Sequence, residues 1–160
     1  MSSMLYFGYG SNCDLETLAS YLRSHRVDPT EVTDARRAVL HDYRIRTNYR
    51  TSSRWGAANI EVHPGGVVEG VLMEISSGVH ESLRKKEGWP RLYRETAVLV
   101  RVPSRRRWVV ALTYRVTERY RLQHDLPLHS EYRQQILKGA ESFKFSAKYR
   151  RCLYRVLGVA

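Results

Sequence analysis

The sequence predicts an α+β fold in which a small, highly curved sheet or barrel is flanked by short helices. Three observations carry this reading. Five or six segments have the apolar enrichment or alternation of strands. Four others repeat apolar residues at helical spacing. The strand segments also follow one another closely, which favours a sheet that curls on itself over an open, doubly wound one.

The first strand is Met4-Leu5-Tyr6-Phe7-Gly8-Tyr9, which ends abruptly at Gly10-Ser11-Asn12. Leu15, Leu18, Ala19 and Leu22 then fall on one face of a short helix. A strand, tight turn and helix in succession leave backbone NH groups at the turn without internal partners, with the helix dipole behind them. Such a turn attracts negative charge. Ser11 followed by Asp14 also fits a capping box, a purely structural pattern.

Ala35 to Thr47 reads as an extended strand and Tyr49 to Gly56 as a polar, mobile loop. Ala57–Val62 and Val67–Ile75 flank Pro64-Gly65-Gly66 and predict a hairpin there. Ser76-Ser77 offers a cap for a helix through His80, Leu83 and Arg84 that stops at Gly88 and Pro90. Thr96–Val102 alternates, with Val98, Val100 and Val102 on one face. Trp108, Val110, Leu112, Tyr114 and Val116 alternate with Val109, Ala111, Thr113 and Arg115 and predict a further strand with one buried face. Tyr132, Ile136, Ala140 and Phe143 mark one last helix, and Tyr149, Cys152, Leu153, Val156 and Leu157 another.

The 160 residues contain no repeat, low-complexity tract or linker, so residues 1–160 are expected to form a single domain. No signal-peptide pattern opens the chain and no apolar run could span a bilayer, making the cytoplasm the expected compartment and a membrane an unexpected partner. The two cysteines, Cys13 and Cys152, lack metal-ligand spacing and read as free thiols. A helix N-terminus could lower the Cys13 pKa, yet no nearby pattern supplies a base for it. The net charge of +11 is spread along the chain and reads as a general positive field.

The chemistry converges on Leu83-Arg84-Lys85-Lys86-Glu87-Gly88, which puts an acid at the C-terminus of a short helix. The helix dipole disfavours it there, and a residue that breaks a local rule is a place to look for function. Together with Tyr6-Phe7-Gly8-Tyr9-Gly10-Ser11-Asn12, Gly56-Ala57-Ala58-Asn59-Ile60, Gly70-Val71-Leu72, Tyr93, Tyr114, and Tyr132 ahead of Lys138-Gly139-Ala140, this segment resembles the γ-glutamylcyclotransferase (AIG2-like) family from Leu5 to about Tyr149.

The resemblance implies cleavage of a small γ-glutamyl substrate by attack of its own α-amine on its γ-carbonyl, releasing 5-oxoproline and an amine or amino acid. It implies no cofactor and no metal, and it admits a homodimer. Glu87 would be the acid/base residue. Tyr6, Phe7, Gly8, Tyr9, Gly10, Ser11 and Asn12 would form the loop receiving the glutamyl group, with the Tyr9–Asn12 backbone as oxyanion and carboxylate donors. Tyr93, Tyr114 and Tyr132 would be wall or hydrogen-bonding residues, although each also fits ordinary core packing.

A carboxylate base works best with a raised pKa, so Glu87 is expected to point inward and Lys85 and Lys86 outward. Where the family carries Leu-Asp, this chain has Leu83-Arg84. The competing reading is a non-catalytic binding protein on the same fold, or an RNA-binding surface built from the Tyr-Arg pairs at 114–115, 120–121, 149–150 and 154–155. Nucleic acid ranks behind the small γ-glutamyl substrate as a partner.

Overall fold

The computed structural model describes residues 2–159. Strand β1 (Ser3–Gly8) leads through a one-turn 3-10 segment (Ser11–Cys13) into helix α1 (Leu15–Ser24). Two long strands follow, β2 (Val32–Arg50) and β3 (Gly56–Ser76), then helix α2 (Ser77–Lys86). Strands β4 (Tyr93–Val102) and β5 (Arg107–Val116) precede helices α3 (Ser130–Ser142) and α4 (Ala147–Val156). The strands close a barrel in the order β1-β3-β2-β4-β5. All neighbours are antiparallel except β1 and β5, whose parallel contact at Tyr6 and Leu112 seals the sheet.

Pro64-Gly65-Gly66 does not turn the chain back. β3 runs straight through it, and both halves of β3 pair with β2, Ala57–Val62 with residues 43–49 and Val67–Ile75 with residues 32–41. The hairpin lies instead at residues 51–55, where Thr51 N donates to the Trp55 carbonyl at 2.9 Å, so the expected mobile loop is a hydrogen-bonded turn. What the Pro-Gly-Gly tract makes is a bulge. Gly65 takes φ +81°, its NH donates to Asp42 Oδ1 at 2.9 Å, and Asp42 itself has φ +64°. Extra residues on one strand of a pair increase its bend, which a five-stranded sheet needs in order to close.

The apolar face expected on β5 is covered over only part of its length. Trp108 and Val110 are exposed, whereas Tyr114 and Val116 on the same face are buried. At the C-terminal end of that face Tyr114 meets Tyr6 and Glu95, whereas at the other end Trp108 lies against the His41 ring at 5.6 Å and stays exposed. The opposite face supplies Ala111 and Thr113 to the interior, where Thr113 Oγ1 donates to the Phe7 carbonyl at 2.7 Å.

Phe7, Leu18, Leu22, Ile60, Met73, Ile75, Leu83, Ile136 and Leu153 are fully buried and join barrel and helices into one core. Each such side chain contributes roughly 1.5–3 kcal/mol by leaving water. Two contacts fix the helices. α3 lies on the 3-10 turn with Gly139 so close that a side chain there would meet Cys13 Cβ at 2.4 Å. α4 is capped by Ser146, whose amide and hydroxyl both donate to the buried Glu69 of β3.

Candidate active site

Seven parts of the chain meet at one end of the barrel around a cavity of ≈ 180 Å³. They are the loop after β1, the end of β2, the start of β3, the end of α2, one end each of β4 and β5, and the start of α3. A cavity of about 150 Å³ suffices for a benzene-sized guest, and drug-sized ligands occupy about 300 Å³ or more. This one therefore fits a single amino-acid-sized group.

Its first wall is the loop after β1. Cys13 N donates to the Gly10 carbonyl and Asp14 N to the Ser11 carbonyl, both at 3.1 Å, which closes the 3-10 turn. Among the described residues the amides of Gly10, Ser11 and Asn12 have no acceptor. Ser11 is not a cap for α1. Asp14 occupies that position without a side-chain cap bond and accepts from Thr17 Oγ1 at 2.7 Å. The free amides thus belong to the tight turn rather than to the α-helix.

The facing wall carries Glu87. α2 is capped by Ser76, which accepts from Val79 N, and ends at Glu87, whose NH donates to the Leu83 carbonyl. Gly88 at φ +64° turns the chain away, so the Glu87 side chain enters the cavity. Its Oε1 accepts from Asn12 Nδ2 at 3.3 Å, and the same amide group donates to Tyr6 Oη at 2.8 Å. Burial pushes the Glu87 carboxyl above the ordinary glutamate range, while the Lys86 charge and the Asn12 hydrogen bond pull it part of the way back.

Lys85 is exposed, as expected, but Lys86 is not turned to solvent. Its Nζ donates to Asn12 Oδ1 and lies 5.4 Å from the Tyr21 ring, and burial lowers its pKa. The stem can lie along apolar surface while the head finds an acceptor, which is how a lysine beside a barrel mouth comes inward. Arg84 stays off the cavity wall. It pairs with Glu95 through Nη2 at 2.6 Å and stacks over Trp89 at 3.8 Å.

Tyrosines make most of the remaining wall. Tyr9 donates to the Tyr114 carbonyl at 2.6 Å, and Tyr114 donates to Glu95 Oε2 at 2.9 Å. Tyr93 donates to the Ala58 carbonyl at 2.7 Å, and Ala58 N donates to Tyr132 Oη at 2.9 Å. Tyr132 therefore accepts from the wall and keeps its own O–H proton for whatever occupies the cavity. Burial raises the pKa of Tyr6, Tyr9, Tyr93, Tyr114 and Tyr132, so all five are neutral donors near neutral pH. Tyr114, for which core packing was one reading, lines the cavity while also being buried.

Eight of the ten remaining residues singled out from the sequence, besides Glu87, lie on this wall: Tyr6, Tyr9, Gly10, Ser11, Asn12, Tyr93, Tyr114 and Tyr132. Phe7 and Gly8 do not. Strand alternation turns Phe7 away from the cavity into the core, where its ring abuts Gly70, and Gly8 is enclosed by Met73, Tyr6 and Asn12. Cys13 is no nucleophile either, since burial pushes its thiol up to about 12 and it donates to the Gly8 carbonyl.

Sequence reasoning missed Tyr49, Thr51, Ala57, Ala58 and Lys86 as wall residues. The small residues of Gly56-Ala57-Ala58 were a signal, because they leave room where the strand begins. For Thr51 nothing local distinguishes it from any turn residue.

Residues 67–153 match the model of the AIG2-like family. A solved structure described as a gamma-glutamyl cyclotransferase superposes with a TM-score of 0.79 at 25% identity, covering 95% of this chain and 86% of that one. The human uncharacterized protein LOC79017 gives 0.78 at 26%, covering 96% and 87%. YkqA from Bacillus subtilis gives 0.81 at 27%, and there the chain spans 55% of the longer protein. No curated protein matches the chain.

Proposed function

The chain belongs to the AIG2-like family, and from that premise we propose that it is a γ-glutamylcyclotransferase. The observation that carries the reading is a single carboxyl, Glu87, raised in pKa by burial and sharing an amino-acid-sized cavity with the unpartnered amides of Gly10 to Asn12.

The nucleophile is the α-amine of the substrate's own glutamyl group. Glu87 as carboxylate takes a proton from the α-ammonium, and the freed amine attacks the γ-carbonyl to form the C–N bond of a five-membered ring. Charge builds on the carbonyl oxygen, where the loop amides and the Tyr132 hydroxyl are available as donors. Collapse of the tetrahedral intermediate breaks the original amide C–N bond. Glu87 returns its proton to the departing nitrogen, and the surplus proton of the ring nitrogen ends on the released amine, giving 5-oxoproline and a free amine or amino acid.

Positioning is the larger contribution. Holding amine against carbonyl in an oriented intramolecular encounter is worth roughly 7–11 kcal/mol, compared with about 10²- to 10⁴-fold for the proton transfers. A narrow, tyrosine-walled cavity suits that task.

The test is incubation of the pure protein with γ-glutamyl dipeptides, following 5-oxoproline. Glu87→Gln keeps the shape and the Asn12 contact but removes the base, and turnover is expected to fall by about 10²- to 10⁴-fold. Full turnover in that variant would remove Glu87 from its assigned role.

A further inference from the structure

Lys86 is the one cationic side chain on the cavity wall among the described residues. Among the described residues it makes no ion pair, and Nζ has three N–H donors of which Asn12 Oδ1 takes one. A second, larger groove of ≈ 790 Å³ opens beside the cavity, and the two share Ser11, Lys86 and Tyr132. Lys86 thus stands at the boundary between the cavity fitted to one amino-acid-sized group and a wider groove outside it.

The groove has no aliphatic side chain in its lining. It is built from hydroxyls, amides and charges of both signs, with Asp14, Glu16 and Glu131 among the acids. An alkyl amine would find no aliphatic side chain there to pack against, only the Tyr21 and Tyr132 rings and the stems of charged side chains. Arg23, Lys86 and Lys138 offset those acids, and of the three cations Lys86 alone also lines the inner cavity, where the scissile bond would lie.

Resting on the cyclotransferase reading, we infer that Lys86 is a specificity residue that receives the carboxylate of the leaving group, so that the substrate is a γ-glutamyl amino acid or peptide rather than a γ-glutamylalkylamine. With the glutamyl end inside the cavity, its γ-carbonyl lies at the boundary. The α-carboxylate of a leaving amino acid is then two bonds beyond the scissile nitrogen, within reach of the Lys86 ammonium.

γ-Glutamylalanine and γ-glutamylethylamine differ only in that carboxylate, and the ratio of their kcat/KM values reads the contact directly. It is measured above the acidic limb of the pH profile. The wild-type protein is expected to favour γ-glutamylalanine by about 10- to 100-fold, the size of a charge-assisted hydrogen bond. Lys86→Met should bring the ratio to about one, whatever factor both substrates lose in common, and Lys86→Arg should keep most of it. If Lys86→Met does not fold, Lys86→Gln, which retains a donor for Asn12, gives the same reading.

Equal turnover of both substrates by the wild-type protein overturns the inference and leaves the cyclotransferase reading intact. So does a Lys86→Met variant that slows both substrates equally, because Lys86 would then act only on Asn12 and Glu87. Failure of the wild-type protein to form 5-oxoproline from either substrate overturns the cyclotransferase reading itself, and the inference with it.

Discussion

Asn12 organises the site at the scale of single residues. Its amide NH₂ reaches Tyr6 and Glu87 while its carbonyl oxygen accepts from Lys86, so one planar group holds an acid and a base apart by fixed bonds. The consequence for Glu87 is a balance of opposing effects. Burial raises its pKa, and Lys86 and Asn12 lower it, with burial prevailing. The base form exists only above the folded-state pKa, so the acidic limb of kcat/KM is expected above the ordinary glutamate value of about 4.3. Lys86→Met removes a lowering influence and should move that limb further up; a limb that stays in place or moves down in a pH-rate profile contradicts the balance. Glu87 and the loop tyrosines could be picked out of the sequence because each stands in a recognisable local pattern. The inward turn of Lys86 could not, since its cause is the Asn12 carbonyl 74 positions away.

At the scale of elements, two of the places where sequence reasoning and structure part are on the barrel wall. Pro64-Gly65-Gly66 has the local chemistry of a hairpin turn, but Asp42 on β2 supplies the acceptor for Gly65 N and holds the tract as a bulge between paired strands. Alternation along β5 predicts one buried face but says nothing about what covers it, and Trp108 and Val110 are exposed whereas Tyr114 is not. The helices were more legible because their spacing is local, and Gly139 shows how one of them is placed. Gly139→Ala would put a methyl carbon 2.4 Å from Cys13 Cβ and 2.6 Å from Cys13 C, part of the backbone of the turn. Overpacking of this kind costs typically about 1–3 kcal/mol. We expect a loss in that range by urea denaturation, with a disproportionate fall in activity because the displaced segment carries the loop amides. Unchanged stability would mean that α3 rides more loosely on the turn than its contacts imply.

For the whole molecule, three carboxylates set the response to acid. Burial opposes ionisation of Glu61, Glu69 and Glu95, yet hydrogen bonds and ion pairs prevail and lower all three. Glu95 is held at about 2 by Arg84, His80 and Tyr114. Groups with depressed folded-state pKa values stabilise fully above their unfolded values and lose that contribution as pH falls through the folded ones. Stability should therefore decline between about pH 5 and pH 2. Glu87, raised by burial, acts in the opposite sense and recovers part of the loss on protonation. Thermal melts across that range check the sign: a protein that grows more stable toward pH 2 would refute it. The cavity, finally, borrows from both ends of the chain. Tyr132 comes from α3, and the same helix presses its Gly139 against the turn that presents Gly10 to Asn12. A growing chain that has emerged only as far as β5 already holds Glu87, Tyr93 and Tyr114 but lacks this buttress. Competence to act on substrate is thereby withheld until the third helix has been made and seated, so the appearance of activity can serve as a clock for the last stage of folding.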